Sequence, residues 1–393
     1  MISMNILFLL KSYCIGGLEV VTTVLANKFH MEGHNVTLWA FKEGDTSLRN
    51  QLNPNIKLIY GNGFSVSKFN IQSLRNILVD NKIDIVINQW GLPFIPALVL
   101  NKASKGLDIK KLAVYHSAPA SNGKIMYVES EISLTKNKLK RYFLYKKLCL
   151  YKQITAASMR YVYYNSHHYL VLSSSFVDEF KKFTGLKNSS KLLVQTNPIT
   201  IETSFNNHCI DKKEKEVVFV GRFDMISKRI DRIINVWRLI ENDFPDWTLR
   251  LVGDGKDRSI VEDIIKDYNL KNVSIEGFQN PIPYYVRSRV LLLTSEFEGF
   301  GLTIIEGMSY GVVPIVLGSY TAIFDIIHNN QDGFIVPYNK KDGFNAEYMA
   351  DKLKTLMSNE SLYREMAGKA IMSSKSFSID KIYKSWQNIF DNL

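Results

Sequence analysis

Cysteine is scarce in this 393-residue chain, and its placement rules out two classes of protein. Cys14, Cys149 and Cys209 lie far apart, with no CxxC pair and no spacing that suits metal ligands. This excludes a disulfide-stapled scaffold and a zinc module, and fits a reducing compartment. Long apolar runs are missing too, since nothing approaches the ~18–20 residues that span a bilayer. The opening MISMNILFLL lacks the basic start and small-residue cleavage site of a secretory signal, and Lys11 interrupts its apolar run. A buried first strand and a cytoplasmic location are expected from it. Acidic residues are wholly absent from Ile132 to Val177. The basic excess belongs to the first half alone: residues 1–200 carry 25 Lys/Arg against 11 Asp/Glu, and residues 201–393 carry 24 against 27. Something anionic is therefore expected to meet the first half.

What is present is a globular composition, 46% apolar and 22% charged, on a chain longer than one hydrophobic core supports. Strand-like apolar runs alternate with amphipathic segments, the pattern of βαβ units in parallel sheets. The first-half runs are Asn5–Leu10, Val36–Phe41, Lys57–Tyr60, Asp84–Asn88, Leu112–His116, Tyr169–Ser173 and Leu192–Gln195. The turn residues Thr196-Asn197-Pro198 and a polar stretch to Lys215 mark a domain boundary. The alternation restarts with Val217–Val220, Thr248–Val252, Val273–Ile275, Val290–Thr294, Val313–Leu317 and Gly333–Val336. The expected architecture is α/β: two doubly wound domains, 1–197 and 198–376, with a cleft between them. Ligands in such sheets sit beyond the carboxyl ends of the strands.

The densest chemical cluster follows one such strand. Gly299 and Gly301 let the backbone approach a ligand, and the amides of Phe300, Gly301, Leu302 and Thr303 open a helix suited to phosphate. Glu298 and Glu306 flank those donors and can accept from sugar hydroxyls. An acidic N-cap for Glu298 and a solvated helix face for Glu306 are the competing readings. A second cluster, Gly221-Arg222-Phe223-Asp224 with Lys228, offers a forked donor and a point charge for a diphosphate, or else a solvent-facing basic turn. In the first half, Gly16-Gly17 opens a helix after a strand, and His116 ends a strand. Both positions also suit purely structural roles. Gly253-Asp254-Gly255 reads as a tight turn, with a conformational role favoured for Asp254.

Together these residues resemble the retaining glycosyltransferases of family 4, which have the GT-B fold of two Rossmann-like domains facing across a cleft. The E-x7-E motif is Glu298 and Glu306, and the diphosphate-binding pattern is Gly221, Arg222 and Lys228. The glycine loop is Gly16-Gly17, and the cleft histidine is His116. The resemblance implies that Glu306 binds the donor ribose, that Glu298 binds the transferred sugar, and that Arg222 and Lys228 neutralise the leaving diphosphate. It also implies that Phe278 lies where main-chain atoms hold the base, and that His116 touches the donor sugar from the opposite wall. The donor would be a UDP- or GDP-linked sugar. No cofactor or metal is implied, since no DxD motif is present. The last helix, 377–393, is implied to pack back on the first domain.

The stretch 136–152 interleaves Lys and Arg with Leu139, Tyr142, Phe143, Leu144 and Tyr151 at helical spacing. This is the pattern of a helix lying in an anionic membrane interface, with an ordinary basic-faced core helix as the alternative. No nucleic-acid module accompanies the patch. The combined expectation is a hexosyltransferase acting at the inner membrane face on a lipid-linked or polysaccharide acceptor of capsule, exopolysaccharide or O-antigen type. The competing classes are a sugar-nucleotide epimerase or hydrolase on the same fold, and a non-catalytic glycan-binding relative.

Overall fold

Each apolar run read as a strand forms one in the computed structural model, which describes residues 3–45, 47–203, 207–339 and 341–393. The chain divides into two units, Met1–Thr200 with Ile379–Leu393, and Ile201–Ser378. The side chain of Cys209 lies outside the described residues; Cys14 and Cys149 are free thiols.

The first unit carries β1 (Asn5–Tyr13), β2 (Asn35–Glu43), β3 (Lys57–Tyr60), β4 (Ile85–Asn88), β5 (Lys110–Tyr115), β6 (His168–Val171) and β7 (Leu192–Val194). They form one parallel sheet in the order β3-β2-β1-β4-β5-β6-β7. Helices cover both faces, which is why a central strand such as β4 is buried at every position. The helix Gly17–Met31 leads from β1 towards β2 and stops where Gly33, at φ 91°, takes the left-handed turn. The helix Ile379–Asp391 belongs to this unit. Its Tyr383, Trp386 and Phe390 gather around Phe29 at 5.6–6.0 Å, and the Tyr383 hydroxyl lies 3.0 Å from His34 Nε2. Those three residues follow a spacing of three and four, so a single helical stripe makes the contact.

The helices Gly123–Leu134 and Lys138–Tyr164 pack against each other through Val128 and Ile132 on one side and Leu144, Leu148 and Tyr151 on the other. The second is 27 residues long, roughly 40 Å at ~1.5 Å per residue. Asn137 caps it, accepting from the Leu139 and Lys140 amides at 3.0 Å each, so Lys136 lies before the helix. Its two halves differ. From Ala156 onward it is a core helix, with Ala156, Met159, Val162 and Tyr163 buried, whereas in the first four turns only Leu144 is buried. Leu139, Tyr142, Phe143, Tyr145 and Leu150 are exposed there among the lysines. Within 138–151 the helix packs one apolar stripe, Leu144, Leu148 and Tyr151, and exposes the rest. Among the described residues, no helix is long and apolar enough to cross a membrane.

The second unit carries β8 (Glu216–Val220), β9 (Thr248–Val252), β10 (Val273–Gly277), β11 (Val290–Leu293), β12 (Val313–Leu317) and β13 (Phe334–Val336). These are parallel, in the order β10-β9-β8-β11-β12-β13. Strand ends differ from the apolar runs by up to a few residues, because the hydrogen-bond ladder sets them. His116, for example, lies just past the end of β5. In both sheets the strand order reverses beside the first strand, between β1 and β4 and between β8 and β11. These switch points are where α/β sheets bind ligands.

Candidate active site

At the second switch point, β8 runs into Gly221-Arg222-Phe223-Asp224. The Asp224 carboxylate accepts from the Ile226 and Ser227 amides at 3.0 Å each, and its carbonyl accepts from the Lys228 amide at 2.8 Å. This Asx turn delivers Lys228 to a fixed place. Burial opposes ionisation of Asp224, but those amides, with Lys256 and Arg222 nearby, hold its carboxyl below the usual range. Arg222 extends into solvent, its side chain 71% exposed and 3.8 Å from Asp224.

The neighbouring loop explains the Gly253-Asp254-Gly255 turn. The Phe223 amide donates to the Asp254 carbonyl at 2.9 Å, and Gly221 donates to the Val252 carbonyl at 3.0 Å. A Cβ on Gly253, at φ 149°, would sit 1.9 Å from the Gly221 carbonyl oxygen. Gly253→Ala is therefore expected to cost roughly 2–4 kcal/mol through backbone displacement and strain. Gly343→Ala, at φ 79° with open space around it, is expected to cost about 1 kcal/mol. Denaturant unfolding of both variants checks the contrast.

After β11 the chain forms the loop Thr294–Gly301 and then the helix Leu302–Ser309. Gly301, at φ 103°, is its N-cap. Glu298 is therefore not the cap, and Glu306 is not on a solvated face, being only 6% exposed with one oxygen 3.3 Å from the Tyr285 hydroxyl. Both competing readings of these carboxylates fail. Phe300 turns its ring into the core against Phe377 at 5.7 Å, so only its main chain is available to a ligand. Gly299 is partly exposed, as are Leu302 and Thr303 in the first turn. Phe278, beyond β10, is exposed.

The two loops are bonded to each other. Lys228 Nζ donates to Glu298 Oε1, which also accepts from the Ser295 hydroxyl at 2.7 Å. The Glu296 amide donates to the Ser227 carbonyl at 2.8 Å. The Glu296 carboxylate pairs with buried Arg232 at 2.9 Å and accepts from the Tyr338 hydroxyl at 2.7 Å. Tyr320 contributes a buried hydroxyl that has no partner among the described residues and lies 2.9 Å from where a Gly301 Cβ would stand. Burial, and then the field of Glu298, push its ionisation well up, so it remains a hydrogen-bond donor. Ser295 and Glu296 stand beside Glu298 in the sequence but were given no role there, and no local spacing links Arg232 or Tyr320 to it.

The first unit brings its own loops to its switch point. Gly16 caps the helix that Gly17 begins, and a Cβ on Gly16 would meet the Glu19 carboxylate at 2.6 Å. Glu19 is buried, and desolvation raises its pKa. His116 Nε2 faces the Oε1 of buried Gln89 beyond β4, and burial pushes the imidazole down to about 3, so it is neutral. Among the described residues, no three His, Cys, Asp or Glu side chains are grouped to hold a metal.

Two parallel, doubly wound Rossmann-like units, the second carrying its charged loops at the switch point, define a GT-B protein. A model of glycosyl transferases group 1 matches residues 200–372, and one of glycosyltransferase family 4 matches residues 15–202. The chain belongs to the group 1 glycosyl transferases. It is 27% identical over 199 residues to the amylovoran biosynthesis glycosyltransferase AmsD of Erwinia amylovora, covering 50% of this chain and 54% of the relative. It is 26% identical over 216 residues, 55% of this chain and 57% of the relative, to a Campylobacter jejuni α-1,4-N-acetyl-D-galactosaminyltransferase named for a PP-undecaprenol-linked acceptor. The chain thus spans about half the length of these curated relatives. In fold it resembles Anabaena HepE, solved in complex with UDP, at a TM-score of 0.76 and 16% identity over 99% of this chain and 100% of that one.

Proposed function

We propose that this protein is a retaining, metal-independent glycosyltransferase that moves a sugar from a UDP- or GDP-linked donor to a lipid-linked or polysaccharide acceptor at the cytoplasmic membrane face. The observation that carries the reading is the second switch point. There two cations, Arg222 and Lys228, lie on the loop after β8, while two carboxylates, Glu298 and Glu306, flank a helix amino end after β11. The cations and the amides from Gly299 to Thr303 suit the diphosphate. Glu306, a buried carboxylate on the helix after β11, suits the ribose hydroxyls, and Glu298 suits those of the transferred sugar. Phe278 marks where the main chain would take the base. Gly16, Gly17 and His116 are read as substrate contacts of the first unit, with neutral His116 serving by hydrogen bonding rather than charge.

Charge stabilisation of the departing diphosphate and positioning would supply most of the acceleration. The acceptor class draws support from two sources: the Campylobacter relative is named for a PP-undecaprenol-linked acceptor, and the amino half of Lys138–Tyr164 exposes aromatic and basic residues together.

The test is transfer from a panel of UDP- and GDP-sugars to undecaprenyl-diphosphate-linked glycans and to polysaccharide fragments, with and without excess EDTA. One donor should give product with an axial or equatorial configuration matching its own, and EDTA should leave the rate unchanged. Complete loss on chelation, restored by Mg²⁺ or Mn²⁺, would contradict the assignment of the leaving-group charge to Arg222 and Lys228.

A further inference from the structure

Two residues given opposite partners in the donor site hold each other. Lys228, read as a diphosphate ligand, is ion-paired with Glu298, read as a sugar ligand, and their side chains are only 18% and 12% exposed. The loops bearing them have little freedom. The Lys228 amide is bonded to the Asp224 carbonyl, Thr294 Oγ1 donates to the Arg229 carbonyl at 2.8 Å, and Glu296 ties the second loop to Ser227, Arg232 and Tyr338. Exchange of partners therefore has to occur through the side chains of Lys228 and Glu298 themselves.

A largely buried ion pair is costly to break from one side, because the charge left behind keeps its desolvation penalty. A nucleoside diphosphate accepts from Lys228 but offers Glu298 nothing, leaving that carboxylate with the Ser295 hydroxyl. A nucleotide sugar satisfies both groups: phosphate oxygens accept from Lys228 while sugar hydroxyls donate to Glu298. We infer that the Lys228–Glu298 pair is a latch within the donor site that selects the intact nucleotide sugar over the bare nucleoside diphosphate. Once the sugar has left with the acceptor, Glu298 regains Lys228 and drives the diphosphate product out. This inference rests on the reading of Lys228 as a diphosphate ligand.

Calorimetric titration of UDP and of GDP into the parent, Glu298→Gln, Glu298→Ala and Lys228→Ala proteins tests it. Both Glu298 variants should bind the diphosphate about tenfold tighter than the parent, the scale of one charge-assisted hydrogen bond released to the ligand. Glu298→Gln keeps the side-chain shape, so its result stands even if the alanine variant is unstable. Lys228→Ala should bind more weakly than the parent. If it does, but neither Glu298 variant gains affinity, the latch is overturned while the diphosphate assignment stands. If Lys228→Ala binds as the parent does, the diphosphate assignment falls and the latch with it. Absence of binding to all four proteins overturns the latch as well.

Discussion

Arg222→Ala is expected to lower kcat/KM by roughly a hundredfold to a thousandfold, the scale seen when a charged or oxyanion-type donor is removed from a developing negative charge. The folded state should hardly notice. Arg222 is largely in solvent, its nearest carboxylate is 3.8 Å away, and an exposed pair of that kind contributes little. The Asx turn that shapes the loop is made by Asp224 with the Ile226 and Ser227 amides and does not involve the Arg222 side chain. Catalysis and stability should therefore separate: a large fall in turnover with an unchanged thermal midpoint. Arg222→Lys should recover only part of the rate, since a point charge does not replace a fork that can grip two phosphate oxygens. Turnover near that of the parent in the alanine variant would remove Arg222 from the leaving-group site.

The sheets were legible in the sequence because parallel strands covered on both faces read as short apolar runs, and Val290–Leu293 and Val313–Leu317 are buried at every position. Glu298 and Glu306 were legible as residues of interest because glycines and a helix start stand between them. Their environments were not. The partner of Glu306, Tyr285, stands on another helix, and the partner of Glu298, Lys228, is 70 positions away. The Arg232–Glu296–Tyr338 group is similarly long-range, joining a helix, the loop after β11 and the segment after β13. Sequence periodicity reports which face of an element is buried. It carries no information on which two loops meet.

The helix Lys138–Tyr164 shows the same limit within one element. Its carboxyl half buries Ala156, Met159, Val162 and Tyr163, whereas its amino half packs only a narrow stripe, Leu144, Leu148 and Tyr151, against the helix Gly123–Leu134. The amino half presents Leu139, Tyr142, Phe143 and Leu150 to solvent beside Lys138, Lys140, Arg141, Lys146 and Lys147. Exposed aromatics among lysines are poorly placed in water and well placed at a headgroup boundary. Changing Lys140, Arg141, Lys146 and Lys147 together to Glu is therefore expected to abolish sedimentation with anionic vesicles. Near such a surface each Lys or Arg contributes about 1 kcal/mol, so losing four attractions and adding four repulsions outweighs shallow insertion of the aromatic side chains. Stability should change little, because all four side chains are exposed. Nucleotide binding should persist, because Arg222, Lys228, Glu298 and Glu306 belong to the other unit. Transfer to a lipid-linked acceptor in vesicles should slow sharply, while transfer to a short water-soluble acceptor should not. High salt should reproduce the loss of sedimentation in the parent protein by screening the same charges. Substituting Leu139 and Phe143 by Ser should weaken binding in a way that salt does not mimic, which separates insertion from attraction. Persistent sedimentation of the charge-reversed protein, or none by the parent, would reduce this half-helix to a basic surface and leave a soluble polysaccharide as the acceptor.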